Sequence, residues 1–158
     1  MSSSPPSVLR PPSSGTVFFP GFRQIEELPR FYAHAGAFVH ASTTEQWGLV
    51  VNEAMACGLP VIVSNRCGCA ADLVQEGVNG YTFDPYNVEQ LAQLMHRLTE
   101  APKHRLSEMG DASRAIIADW GPERFASGLK QAVECALEVG PQRASLLQRM
   151  ILKVLLWR

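Results

Sequence analysis

Glu45-Gln46-Trp47-Gly48-Leu49-Val50-Val51-Asn52-Glu53-Ala54-Met55-Ala56-Cys57-Gly58-Leu59-Pro60-Val61-Ile62-Val63-Ser64 is the stretch that decides the fold. Leu49 to Cys57 is rich in good helix formers, and Gly58 supplies a stop. Pro60 then leads into Val61-Ile62-Val63-Ser64, an apolar run without polar alternation. Strands of that kind are covered on both faces, as in a parallel sheet.

Working outward, residues 2–14 are rich in Ser and Pro and lack a hydrophobic period, so residues 1–15 read as a disordered leader. Thr16-Val17-Phe18-Phe19 reads as a short strand closed by Pro20-Gly21. Glu26 to Ala35 places Leu28, Phe31 and Tyr32 on one helical face, with Pro29 in the first turn. Ala37-Phe38-Val39-His40 reads as another strand. A helical turn at Ala70–Val74 and a strand at Tyr81-Thr82-Phe83 follow. Helices are predicted over 88–99, 105–120, 122–139 and 142–158. The expectation is an α/β fold: a partial Rossmann-like parallel sheet of about four short strands, flanked by helices, with a helical C-terminal third. Residues 16–140 form the expected domain, and 141–158 a basic, apolar C-terminal helix.

The 158 residues suit one domain able to bury a core. A net charge of −1 gives no reason to expect nucleic acid as a partner. No apolar run reaches the roughly 18–20 residues of a membrane span, and the N-terminus has no signal-peptide character. A cytoplasmic location is expected, with a peripheral position at the inner membrane face as the extension. For residues 146–158, packing on the protein is the first reading. Weak membrane-surface contact through Trp157 and the basic residues is the second. Cys57, Cys67, Cys69 and Cys135 read as reduced, structural thiols. The single residue between Cys67 and Cys69 is shorter than structural zinc spacing, and no metal is expected.

The chemistry of the opening stretch lies at its helix start. The first amides of a helix lack internal partners, and that end is partly positive, so it suits phosphate. Gly48 lets an anion approach without a Cβ in the way, and Leu49 and Val50 can donate N–H groups. Glu53 lies about one turn further on the same side. Its carboxylate accepts hydrogen bonds only, which suits a vicinal diol such as a ribose. Glu45, before the helix, reaches the opposite end of a ligand. The bland alternative is a solvated loop acid and a first-turn acid favoured by the helix dipole.

The wider string resembles the C-terminal-domain signature of retaining GT-B glycosyltransferases of family four, also called glycosyl transferases group 1. Ser42, Glu45, Trp47, Gly48, Leu49, Glu53-Ala54-Met55-Ala56, Gly58 and Pro60 through Ser64 fit its pattern. Gly68, Asp72-Leu73-Val74, Gly77, Asn79-Gly80 and Asp84-Pro85 fit downstream, and Val17 through Phe22 upstream. The resemblance covers residues 16–100 well and the helices to about 139 loosely. It implies a glycosyltransferase of hexosyltransferase type using a nucleotide-diphosphate sugar, with no metal or other cofactor. Glu45 would be the catalytic-site residue holding donor sugar hydroxyls. Gly48, Leu49 and Val50 would bind the diphosphate, Glu53 the ribose, and Gly21 and Phe22 would lie near the base. A role in polysaccharide biosynthesis follows by family analogy alone.

The departures shape the expectation. Ala41 replaces the usual Pro, and Cys67 and Cys69 stand where small apolar residues are common. His40 reads as a strand-end residue rather than a catalytic acid. The family's N-terminal domain, the early strands of its C-terminal domain and their basic pair are not recognised; Arg10 and Arg23 lie in no matching motif. The chain is therefore expected to be a donor-binding fragment that works with a separately encoded N-terminal half. The competing readings are an inactive remnant and a module that binds protein or a membrane surface through its open sheet edge.

Overall fold

A computed structural model describes residues 17–140 together with 150, 151 and 153. The expected helix over 142–158 otherwise lies outside the described residues, as does the 1–15 leader. In chain order the elements are α1 (Leu28–His34), β1 (Phe38–His40), α2 (Leu49–Ala56), β2 (Val61–Ser64), α3 (Ala70–Leu73), β3 (Gly80–Phe83), α4 (Val88–Glu100), α5 (Lys103–Ala118) and α6 (Pro122–Val139). The three strands form one parallel sheet in the order β1-β2-β3. Among the described residues the sheet has three strands rather than about four. Residues 17–20 form no strand, and Phe18 is 82% exposed. A strand exists only as part of a ladder, and among the described residues this apolar run has no neighbouring strand to pair with.

The central strand, β2, is buried throughout, as its β-branched, uniformly apolar sequence requires. Val61 and Val63 point to one core with Val51, Ala54 and Met55 of α2 and Leu73 of α3; Tyr32, Ile116, Ile117 and Trp120 pack at its margin. Ile62 points to the other face, where it meets Phe83, Leu98 and Met109. The two helical layers therefore follow from one alternation along β2. Gly80 begins β3 because an added Cβ would lie 2.0 Å from the Val61 carbonyl oxygen. On α1 the expected apolar face buries little, and Phe31 stays exposed.

Helix α2 ends at Gly58, whose φ of 77° is the left-handed conformation of a C-terminal stop. Helix α5 packs closely there. A Cβ on Gly110 would lie 2.1 Å from the Gly58 carbonyl oxygen, and the Ser113 hydroxyl donates to the Leu59 carbonyl at 2.7 Å. The Arg114 guanidinium donates to the Cys57 carbonyl at 3.3 Å, where a cation complements the helix C-terminus. These contacts fix α2 from its far end and leave its N-terminus at the C-terminal edge of the sheet, where ligands of open α/β sheets bind.

Candidate functional site

The loop between β1 and α2 is held by backbone contact with the loop that leaves β2. Glu45 and Cys67 form an isolated parallel bridge. Its bonds are Gly68 N–H to the Glu45 carbonyl at 3.0 Å and Glu45 N–H to the Arg66 carbonyl at 3.4 Å. Cys69 N–H to the Trp47 carbonyl, 3.2 Å, continues the pairing. The approach is so close that a Cβ on Gly68 would lie 1.8 Å from the Gln46 carbonyl oxygen. Cys67 and Cys69 complete the closure from inside. Both are buried, the Cys67 thiol donates to the Trp47 carbonyl at 2.8 Å, and the two sulfurs are 3.4 Å apart. Burial, then the hydrogen bond and charge of Cys67, push the Cys69 thiol up to about 12. A thiol so placed is inert. Among the described residues there is no cluster of three metal-ligating side chains.

Gly48 caps α2 with φ 97°, a conformation that side chains resist. A Cβ there would lie 2.7 Å from the Cys67 sulfur and 3.4 Å from Glu45 Cγ. Val51 N–H turns back to the Gly48 carbonyl at 2.9 Å, while Leu49 and Val50 N–H have no acceptor among the described residues. Gly48 has no side-chain cap either. The positive end of α2 is thus presented with two open donors, between a half-buried Glu45 before it and a half-buried Glu53 one turn beyond it. Such a set can take an anion at the amides and hydroxyls at the two carboxylates.

Glu53 is oriented by a residue that sequence reasoning did not single out for the site. The Tyr32 hydroxyl donates to Glu53 Oε2 at 2.9 Å. Burial, reinforced by the hydrogen bond and negative charge of Glu53, raises the Tyr32 phenol to about 12, so it remains a donor. The two residues are 21 positions apart and meet only through tertiary packing. Trp47 is anchored as well. Its indole N–H donates to Asn52 Oδ1 at 3.0 Å, and its ring lies 5.2 Å from that of Trp120, over which Arg124 sits at 4.3 Å. A hollow of about 510 Å³ opens beside it, lined by Trp47, Leu49, Asn52, Trp120 and Phe125. Gly21 and Phe22 stay outside this cluster: Phe22 is 88% exposed, and nothing lies within 4 Å of a Cβ added to Gly21.

The family described as glycosyl transferases group 1 matches residues 13–115. The chain belongs to this family. The chain is similar to sucrose synthase 2 of Pisum sativum, 41% identical over 83 residues, 49% of this chain and 10% of that protein. The fold is similar to HepE from Anabaena, solved in complex with UDP and glucose: TM-score 0.66, 27% identity, 78% of this chain and 33% of that one. It is also similar to sucrose-phosphate synthase from Thermosynechococcus elongatus: TM-score 0.61, 28% identity, 73% of this chain and 29% of that one. The chain therefore spans a third or less of the length of these proteins. The matched family segment contains β1, α2, β2 and β3, and with them both carboxylates and the open amides.

Proposed function

We propose that the α2 N-terminus is the donor site of a retaining glycosyltransferase that uses a nucleotide-diphosphate sugar. The observation that carries this reading is the pair of open amides, Leu49 and Val50, behind left-handed Gly48 and between Glu45 and Glu53. The diphosphate takes the amides. Glu53, held by Tyr32, keeps its other oxygen for the ribose diol. Glu45 accepts from hydroxyls of the transferred sugar; a place near the base for Gly21 and Phe22, which lie exposed outside the cluster, rests on the family resemblance alone. As the bond from sugar to diphosphate breaks, negative charge builds on the leaving phosphate, and preorganised amides stabilise it without reorganising. The amides serve that charge in this reading, so no resident cofactor or metal is assigned, and no carboxylate here is assigned as a nucleophile.

Acceptor binding and full turnover are assigned to further polypeptide, either within a longer chain or in a separate N-terminal half. The outer edge of β1 supports this assignment. Phe38 N–H bonds inward to Pro60, so by strand alternation Ala37 and Val39 turn their backbone groups outward. An apolar hollow lined by Ala37, Val39, Ile62 and Leu106 lies beside that edge. A reducing compartment such as the cytoplasm is proposed from the adjacent free thiols of Cys67 and Cys69. No helix among the described residues is long and apolar enough to cross a membrane.

The test is calorimetric titration of the folded chain with UDP, GDP and ADP, alongside Glu53→Ala. Saturable binding of one nucleotide that the variant weakens at least tenfold supports the reading and names the donor class. A folded chain that binds none of the three removes it.

A further inference from the structure

A hollow of about 600 Å³ opens between β3, α4 and α5, on the Ile62 face of the sheet and so on the face away from α2. Its floor is apolar: Leu98 and Met109 are buried there, with Leu94 beside them. Its polar groups arrive from separate elements. Arg97, in the last turn of α4, sits over the Tyr81 ring of β3, 5.1 Å from the centroid. Stacking engages the flat face of a guanidinium and leaves the N–H donors in its plane available. Arg97 has no ion-pair partner among the described residues. Gln90 uses its Oε1 to accept from the Asp84 N–H at 2.9 Å, which leaves its NH2 group as a donor. Arg105 of α5 is held by Glu108 at 3.0 Å and by the Gly77 carbonyl, so its charge is already matched. Glu76 accepts from both the Thr82 N–H, at 2.7 Å, and the Thr82 hydroxyl on one oxygen, Oε1, which leaves Oε2 as an acceptor.

These contacts decide what kind of occupant fits. β3 is the outermost described strand on this side of the sheet. The N–H groups of Thr82 and Asp84 are taken by the Glu76 and Gln90 side chains, and the Gly80 carbonyl accepts from the Gly77 N–H at 2.9 Å. An edge closed by its own side chains does not recruit another strand. The hollow also falls within the range of small-molecule pockets, about 300–1,000 Å³. We propose that it is a second ligand site, separate from the α2 N-terminus, that takes the phosphate monoester of a small polyol, a hexose phosphate by class. Arg97 carries the unmatched positive charge, and a guanidinium held in plane binds phosphate through two parallel N–H bonds. The Gln90 NH2 group is the neighbouring neutral donor. A hydroxyl of the ligand donates to Glu76 Oε2, and its C–H face covers Leu94, Leu98 and Met109. The Glu76 carboxylate repels the phosphate, so it orients the ligand with its hydroxyl end toward the Glu76–Gly80 turn and its phosphate toward α4. No covalent bond changes, and the assignment stands apart from the donor-site reading of α2.

Titration of the chain with glucose 6-phosphate, inorganic phosphate and glucose, followed in 15N–1H spectra, tests the site. The expected result is saturable shifts of the Thr82 amide and the Gln90 side-chain amide with glucose 6-phosphate, and weaker binding of the other two probes. Arg97 is exposed on α4 and alanine is a good helix former, so Arg97→Ala should keep the fold, as circular dichroism would show. That variant should bind glucose 6-phosphate about tenfold more weakly or worse, the loss of one charge-assisted pair. Arg97→Lys should recover only part of the affinity, because it restores the charge without the planar fork. Absence of saturable shifts in the folded wild type, or equal affinity in Arg97→Ala, overturns the proposal. Inorganic phosphate or glucose binding as tightly as the ester overturns it too, since the site would then read only one end of the ligand. Shifts confined to the Leu49 and Val50 amides would put the phosphate at α2 and overturn this site while leaving the donor-site reading intact.

Discussion

Replacing Gly68 by alanine puts a methyl group 1.8 Å from the Gln46 carbonyl oxygen and 2.8 Å from its carbon. The obstacle is backbone, so no side-chain rotation relieves it. Ordinary carbon–oxygen contact needs roughly 1.5 Å more, and the two loops must separate by about that much. Separation stretches three bonds: Gly68 N–H to Glu45, Cys69 N–H to Trp47 and Glu45 N–H to Arg66. A net hydrogen bond contributes about 1 kcal/mol, and a buried group left unpaired costs about 1–3 kcal/mol. Losing two of the three therefore destabilises the fold by about 2–4 kcal/mol, a large share of a domain's usual 5–15 kcal/mol. The Glu45–Gly48 loop moves with them, so UDP affinity should fall at least tenfold even where the variant remains folded. Urea unfolding followed by circular dichroism gives the first quantity and calorimetry the second. A loss under about 0.5 kcal/mol with unchanged affinity would show that the loops do not meet as described, and the account of the site's rigidity would fail.

Tyr32→Phe removes the donor to Glu53 and should destabilise by about 1.5–3 kcal/mol in urea unfolding, the range for a hydrogen bond to a charged group. Glu53→Gln in the Tyr32→Phe background should add less than it does alone, because the two act as a pair. Cys69 has a folded-state value of about 12 against 9.0 unfolded, so its neutral form is favoured by folding. Its contribution is complete below pH 9 and declines as pH rises toward 12, by up to ~1.4 kcal/mol per pH unit. Cys69→Ala should flatten that decline in urea titrations between pH 8 and 10, and an unchanged slope would refute the assignment. Gly128 lies inside α6 with nothing within 4 Å of an added Cβ. Gly128→Ala should therefore stabilise α6 by about 0.5–1 kcal/mol, seen as a higher helical melting midpoint; a lower midpoint would reveal an unrecognised contact at that face.

Much of the site was legible because its determinants are local. Val61-Ile62-Val63 states a doubly covered strand, Gly58 states the end of α2, and Gly48 ahead of Leu49 and Val50 states an open helix start. The run 17–19 was misread for a physical reason. Val17-Phe18-Phe19 has strand composition, but a strand is a property of a pair, and the described sheet offers it no neighbour. Long-range closures were equally hidden. Tyr32 against Glu53, His40 beneath Gly48 and Gly68 against Gln46 each join segments that no periodicity links. Helix α6 was legible as a helix, but its environment was not: its apolar residues Phe125, Leu129 and Leu137 lie exposed.

The central claim is that the α2 amides receive the diphosphate. Backbone 15N–1H spectra of the chain, recorded as UDP and then uridine are added, address it most directly. The account predicts saturable shifts of the Leu49 and Val50 amides with UDP, and little change at those two amides with uridine. Shifts confined to other residues, or the same Leu49 and Val50 shifts with uridine as with UDP, would contradict it.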